Sequence, residues 1–290
     1  MRLPSPRLLV LTSVCASSLA CGIQEPEEKT TPVDIAFEAR VGAQPFACGR
    51  TYTGLGTTAT TYEPMDFRVY LHDVRLVTSG GEEVPVTLTE DGKWQKGGAL
   101  LLDFADQSGL CGNGTAAMNT RLLGTVPEGA GPFQGLRFKL GLPESLNHQD
   151  VSVAPAPFND IGLFWSWRAG YLFTRIEGRT AGLTAGHFMH LGSTDCPPLV
   201  PGQTSSGCTF PNTPEVGLEG FTPGVSRVVM DLASLFVHSN LDADSGVPNT
   251  AIGCMASQND PDCAPVFKQL GLAFGGEPGD PRAQTFIRLE

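Results

Sequence analysis

The sequence predicts an all-β protein, a single-domain β-sandwich or Greek-key barrel with long disulfide-stapled loops and one or two short helices. Three observations carry that expectation. Segments of alternating polarity recur along the chain, 35 glycines and 23 prolines cut it into short pieces, and no helical pattern is long enough to cross between parallel strands. In chain order the alternating segments are VDIAFEARV (33–41), DFRVYLHDVRLV (66–77), EVPVTLT (83–89), GLRFKLGL (135–142), YLFTRIEG (171–178) and the terminal TFIRLE. Each has period two and is rich in β-branched or aromatic residues, as suits a strand with one buried face. Two short helical pieces are expected, MDLASLF at 230–236 and PDCAPVFKQLGL at 261–272. No internal repeat or Ser/Gly/Pro-rich linker follows residue 32, so residues 33–290 are expected to form one β domain.

The first residues have the order of an export signal: the basic MRLPSPR, the apolar LLVLTSV, then SSLAC. The apolar run is too short to span a bilayer, and residues 1–20 are set aside as a signal peptide. Leu19-Ala20-Cys21-Gly22 resembles a bacterial lipobox, with Ser18 where an apolar residue is usual. The expectation is lipidation at Cys21 and attachment to a membrane through that anchor only, with residues 21–32 as a polar tether. Gly22, rather than Asp, resembles the outer-membrane sorting pattern, so the protein is expected at the outer membrane, facing the periplasm or the cell surface. Removing residues 1–20 takes away Arg2 and Arg7, which moves the formal charge from −11 to −13. Such an acidic chain argues against nucleic acid and against anionic lipid headgroups as partners.

Of eight cysteines, Cys15 lies in the signal and Cys21 is the lipidation candidate, leaving an even number in an exported chain. That favours disulfides. Cys196/Cys208 and Cys254/Cys263 are sequence neighbours in Pro/Gly/Asn-rich loops and are expected to pair locally, which leaves Cys48 with Cys111. No CxxC spacing suggests a thiolate zinc site.

Histidine and methionine together suit copper, and imidazole also serves zinc. In HFMHLGSTDC a regular strand puts His187 and Met189 on one face and His190 on the other, so the three cannot ligate one ion from it. His72 shares a strand face with Tyr70 and Val74, and His148 lies in a loop after an apolar strand. NLDADSG (240–246) has Ser245 where an EF-hand loop needs glycine and lacks the closing glutamate, so it reads as a polar turn. NGT at 113–115 fits a glycosylation sequon and reads as a turn. No GxSxG, HExxH, Walker A or post-strand GxGxxG is present, and no enzymatic activity is expected. FWSW places Trp165 and Trp167, two of only three tryptophans, on one face of a strand.

Several stretches together resemble the copper-binding proteins encoded beside methanobactin genes, the MbnP-like family of metallo-mystery-pair four-cysteine proteins. They are FRVYLHDVRLV, DGKWQ, LLDFADQSGLCGNGT, FKLGLPESLNHQD, APAPFND followed by FWSWRAGYLF, HLGSTDC and GCMASQNDPDC, and they fall in the family's order over roughly residues 33–275. The resemblance implies an exported, non-catalytic, β-rich protein that binds one copper ion. It also implies a partner, a di-haem cytochrome c peroxidase-like enzyme, that oxidises a tryptophan to kynurenine, which then participates in copper binding. An intact indole is a poor ligand because its N–H only donates, whereas an opened ring offers an aniline nitrogen and a ketone oxygen. By motif position the copper ligands fall on His72 and His148, with His190 a third candidate. The oxidised tryptophan falls on Trp165 or Trp167, with Trp94 a further candidate, and Asp73 and Asp150 are candidates to orient the imidazoles. The loop PLVPGQTSSG (198–207) looks like a local insertion. The alternative is a disulfide-stapled β-sandwich that binds carbohydrate or a protein through exposed tryptophans.

Overall fold

The structure, a computed structural model, describes residues 29–166, 169–197 and 207–290. The signal segment, Cys21, Trp167 and most of the 198–207 loop lie outside the described residues.

Strand alternation does what the sequence pattern predicts. Thr30–Val41 turns Val33, Ile35, Phe37, Ala39 and Val41 inward, each 6 % exposed or less. This strand is central in the first sheet, antiparallel to Arg121–Pro127 and parallel to Val228–Asp231, with Ile287–Leu289 and Thr87–Leu88 outside them. The second sheet is organised by Thr60–Thr78, 19 residues long. Phe37 of the first sheet meets Phe138 of the second edge to face, ring centroids 6.0 Å apart. The two inner faces close one core between them, as sandwich packing requires.

Expected strand 83–89 is two strands. Glu83–Pro85 pairs with Thr60–Thr78 in the second sheet, and Thr87–Leu88 pairs with Arg121–Pro127 in the first. The switch falls at Val86, whose N–H donates to the Val74 carbonyl. Expected strand 171–178 is likewise divided. Gly170–Tyr171 pairs with Phe164–Ser166, and Thr174–Thr180 joins the central strand. The helices form as Leu232–Leu235 and Cys263–Gln269. Asp231 caps the first, its carboxylate accepting the Ala233 N–H. Among the described residues no helix is long and apolar enough to cross a membrane.

One feature of the second sheet positions the candidate site. Phe133–Leu140 and Thr174–Thr180 lie on the same edge of Thr60–Thr78, pairing with it up to Leu140↔Leu71 and from Thr174↔Val69. Ala99–Asp103 occupies the opposite edge, from Arg68 to His72. The seam falls at Tyr70. Its carbonyl accepts the Gly141 N–H at 2.7 Å, and its N–H donates to the Phe173 carbonyl at 2.8 Å. The chain thus leaves the sheet at Gly141 and returns at Phe173, and this excursion carries both His148 and the FWSW stretch.

Candidate metal centre

His72 stands beside the seam. Its Nδ1 is 2.8 Å from the carbonyl oxygen of Gly141, the residue at which the excursion begins. A carbonyl only accepts, so Nδ1 carries the proton and the lone pair is on Nε2. Nε2 makes no hydrogen bond among the described residues. The side chain is buried, which lowers the imidazole pKa, the Gly141 bond offsetting this only in part. His72 is therefore a neutral imidazole of fixed tautomer at neutral pH, the form a metal requires.

The same strand face holds the underside of the excursion. Tyr70 Oη donates to the Pro157 carbonyl at 2.7 Å, and Arg68 Nη1 contacts Asp160 Oδ2 at 2.5 Å. From the returning strand, Tyr171 Oη donates to Phe158 and Arg175 Nη1 to Gly162, at 2.7 and 2.6 Å. Arg68 is itself buried and also paired with buried Asp66 at 2.7 Å, so its charge is not left uncompensated.

His148 follows the one-turn helix Glu144–Asn147. Its Nε2 lies 3.2 Å from Glu144 Oε1, 3.3 Å from Asn147 Nδ2 and 3.7 Å from Cys208 Sγ. Asn147, fully buried, is the organiser of this corner. Its Oδ1 accepts the Tyr171 N–H at 2.9 Å, which fixes the amide's orientation and aims Nδ2 at Ser193 Oγ and His148 Nε2, both 3.3 Å away. A hydrogen bond from Nδ2 uses a lone pair on His148 Nε2, whereas the Glu144 carboxylate is met only by a proton there, so the two contacts belong to different protonation forms of the ring. Gly170, at φ +78°, passes so close that a Cβ there would lie 2.3 Å from Asn147 Oδ1. Only glycine allows that approach.

Trp165 lies on Phe164–Ser166 with its ring against Gly192, where a Cβ would come within 2.7 Å of Cζ3. It is half-buried and lines an open cleft of about 410 Å³ with Ser193, Asp195, Cys196 and Met255. Cys196 is bonded to Cys208, whose Sγ lies 3.7 Å from His148 Nε2. Trp165 and His148 thus flank one disulfide, and His72 is tied to the start of their segment.

The other expected residues are placed differently. His190 Nε2 is engaged by buried Glu177 at 2.6 Å, and its Nδ1 is buried with no partner. Burial pushes the Glu177 carboxyl up, but the hydrogen bonds from His190 and Arg175 outweigh it and hold the group below its usual range. His190 therefore belongs to the ion-pair layer beneath the excursion, opposite His187, as strand alternation requires. Asp73 was expected to orient His72, but the Gly141 carbonyl occupies that place. Asp73 sits at φ +53° and pairs with Lys139 at 3.1 Å and Arg75 at 3.3 Å. The reason is a register shift between Arg137 and Lys139, a bulge that turns Asp73 outward. Asp150 accepts from Ser152 N and Oγ at 2.9 and 2.6 Å, stabilising the next turn, and the carboxylate beside His148 Nε2 is that of Glu144. Trp94 packs on the core with Lys93 Nζ 4.5 Å over its ring. His72, His148 and His190 do not converge as a three-donor group. Among the described residues the one such group is His148, Cys196 and Cys208. All three expected disulfides form: Cys48–Cys111, Cys196–Cys208 and Cys254–Cys263. Sequence reasoning missed Asn147, Glu144 and the Gly141 carbonyl. The ESLNH spacing held a signal for Glu144, since i and i+4 meet across one helical turn.

Fold and site together define an all-β, disulfide-stapled protein in which one excursion between two strands that share an edge of the central strand carries histidine and tryptophan. The family model MbnP matches residues 30–256, so the chain belongs to the MbnP family, a methanobactin-related, copper-associated family. The solved structure of MbnP from Methylosinus trichosporium is similar at 29 % identity and a TM-score of 0.77, over 90 % of this chain and 98 % of that one. No curated protein matches the chain.

Proposed function

We propose that this chain is an exported copper-binding protein without catalytic activity of its own, holding one copper ion with His72 and His148. One tryptophan of the FWSW stretch, oxidised to kynurenine by a partner di-haem cytochrome c peroxidase-like enzyme, supplies a further donor. Lipidation at Cys21 anchors the mature chain to the outer membrane, and its role is copper acquisition or handling. The observation that carries this is the bond from His72 Nδ1 to the Gly141 carbonyl. It leaves Nε2 as a donor at the root of the segment that bears His148 and Trp165. His190 remains with Glu177 and is not part of the ligand set.

The ligand assignment is tested by copper titration of His72→Ala, His148→Ala and the double variant, each checked for fold by far-UV circular dichroism. Loss of tight binding in a folded double variant is expected, and full retention would sink the assignment. Peptide mass spectrometry of protein from its native host tests the maturation. Conversion of tryptophan to kynurenine exchanges one carbon for one oxygen, and finding every tryptophan intact in copper-loaded protein removes the kynurenine donor.

A second function is favoured by one observation, the cleft beside half-buried Trp165 with its polar wall of Ser193 and Asp195. A tryptophan over polar side chains suits a carbohydrate. Glycan quenching of Trp165 fluorescence, with no response to copper, would select it.

A further inference from the structure

We propose that Cys196 and Cys208, once their disulfide is reduced, join His148 in a three-donor site for a soft or borderline d10 cation, Cu(I) or Zn(II). His148 Nε2, Cys196 Sγ and Cys208 Sγ all lie within 4.8 Å of one another, with Nε2 to Cys208 Sγ at 3.7 Å. A tetrahedral ion at ordinary Zn–N and Zn–S bond lengths holds nitrogen and sulfur about 3.6 Å apart and two sulfurs about 3.8 Å apart. The distance from His148 Nε2 to Cys208 Sγ is thus already that of a bound ion, and cleavage of the disulfide frees the two sulfurs to part.

The backbone keeps the donors together without the covalent link. Thr194 and Phe210 form an antiparallel bridge, exchanging N–H to carbonyl bonds at 2.9 and 3.2 Å, and Thr209 N–H donates to Asp195 at 3.2 Å. These bonds hold residues 194–195 beside 209–210, so Cys196 and Cys208 stay adjacent when reduced. The Asn147–Ser193 hydrogen bond ties the residue before His148 to the same segment.

In the disulfide the sulfurs carry no charge and are weak donors. A dithiol reductant cleaves the S–S bond, delivering two electrons and two protons, and itself closes to a disulfide. The cation then displaces those two protons as the thiols become thiolate ligands. Cys208 is half-buried and open to attack, whereas Cys254 and Cys263 of the third disulfide are fully buried. The site shares His148 with the copper function proposed above but uses neither His72 nor an oxidised tryptophan.

The test uses the full chain, reduced anaerobically with a dithiol, its free cysteines mapped by alkylation and mass spectrometry, then titrated with Co2+ alone. One Co2+ per chain is expected to bind with thiolate-to-cobalt charge-transfer absorption, to be displaced by Zn2+, and to be absent from the oxidised protein. Cys196→Ser/Cys208→Ser, reduced identically, should lose the band, so opening of Cys48–Cys111 cannot imitate it. His148→Ala should weaken the affinity at least tenfold with the fold retained by circular dichroism. Free Cys196 and Cys208 thiols without the band, or a band that survives the double serine variant, overturn the proposal. Copper affinity of the oxidised protein, read on the same samples, reports the His72 site separately, so either site can fail without the other.

Discussion

Asn147→Ala probes the corner that joins the His148 loop to the tryptophan hairpin. The substitution removes three hydrogen bonds, but the groups left behind are not equal. Ser193 Oγ keeps its bond to the Pro211 carbonyl at 3.0 Å, and His148 can carry its proton on Nε2 and donate to Glu144, 3.2 Å away. The Tyr171 N–H is left buried with no acceptor. An orphaned buried donor costs about 1–3 kcal/mol, and the small void left by the amide adds about 1 kcal/mol. The expected loss is therefore about 2–4 kcal/mol. For a domain of this size that lowers the melting temperature by about 5–15 °C. Thermal unfolding followed by far-UV circular dichroism measures it, and Trp165 emission should shift to the red as the hairpin loosens from Gly192. Copper affinity should fall with it, because Asn147 also sets the orientation of His148. A melting temperature within about 2 °C of the wild type, with emission unchanged, would refute the assignment of Asn147 as the organiser.

His187 is buried against Phe236 with Nδ1 unpartnered, and burial lowers its pKa from 6.5 to about 4. Between those values the unfolded chain binds a proton that the folded chain does not, so stability falls as pH drops from about 6.5 to about 4, by about 3 kcal/mol. His187→Phe should abolish that loss. Urea unfolding of both proteins at several pH values checks it, and a pH-independent difference between them rejects it. Gly192→Ala should displace the Trp165 ring and destabilise by about 1–3 kcal/mol, visible in both fluorescence and melting. Among the disulfides, removing Cys48–Cys111 should cost most, about 4 kcal/mol against about 3 for each of the others. The reason is that it closes a loop of 63 residues rather than 12 or 9; an inverted order in denaturant unfolding would contradict loop closure as the cause.

The strands most legible in sequence were those with one wet face. Thr30–Val41 and Phe133–Leu140 alternate because only one side is buried. Ala99–Asp103 was passed over because all five of its residues are buried, and a strand covered on both faces shows no alternation. The divisions at Val86 and after Tyr171 escaped for a related reason. Periodicity records which way side chains point, and a chain can hand its hydrogen bonds from one partner to another without breaking that rhythm. Asp73 shows the same limit at one residue, since a bulge created by pairing with Phe133–Leu140 turned it away from His72 and out to Lys139.

The sequence by itself determined the class of the fold, the places of six strand segments, the three cysteine pairs and the family resemblance, because local periodicity, turn residues and the number and spacing of cysteines are written along the chain. Which histidines face the same space was decided only by tertiary structure. Two strands share one edge of Thr60–Thr78, and the excursion between them brings Gly141 to His72, Asn147 to Tyr171 and Trp165 to Gly192. Those are contacts between residues made neighbours by backbone pairing, and no spacing in the sequence encodes them. The same pairing set Cys208 beside His148 and committed His190 to Glu177.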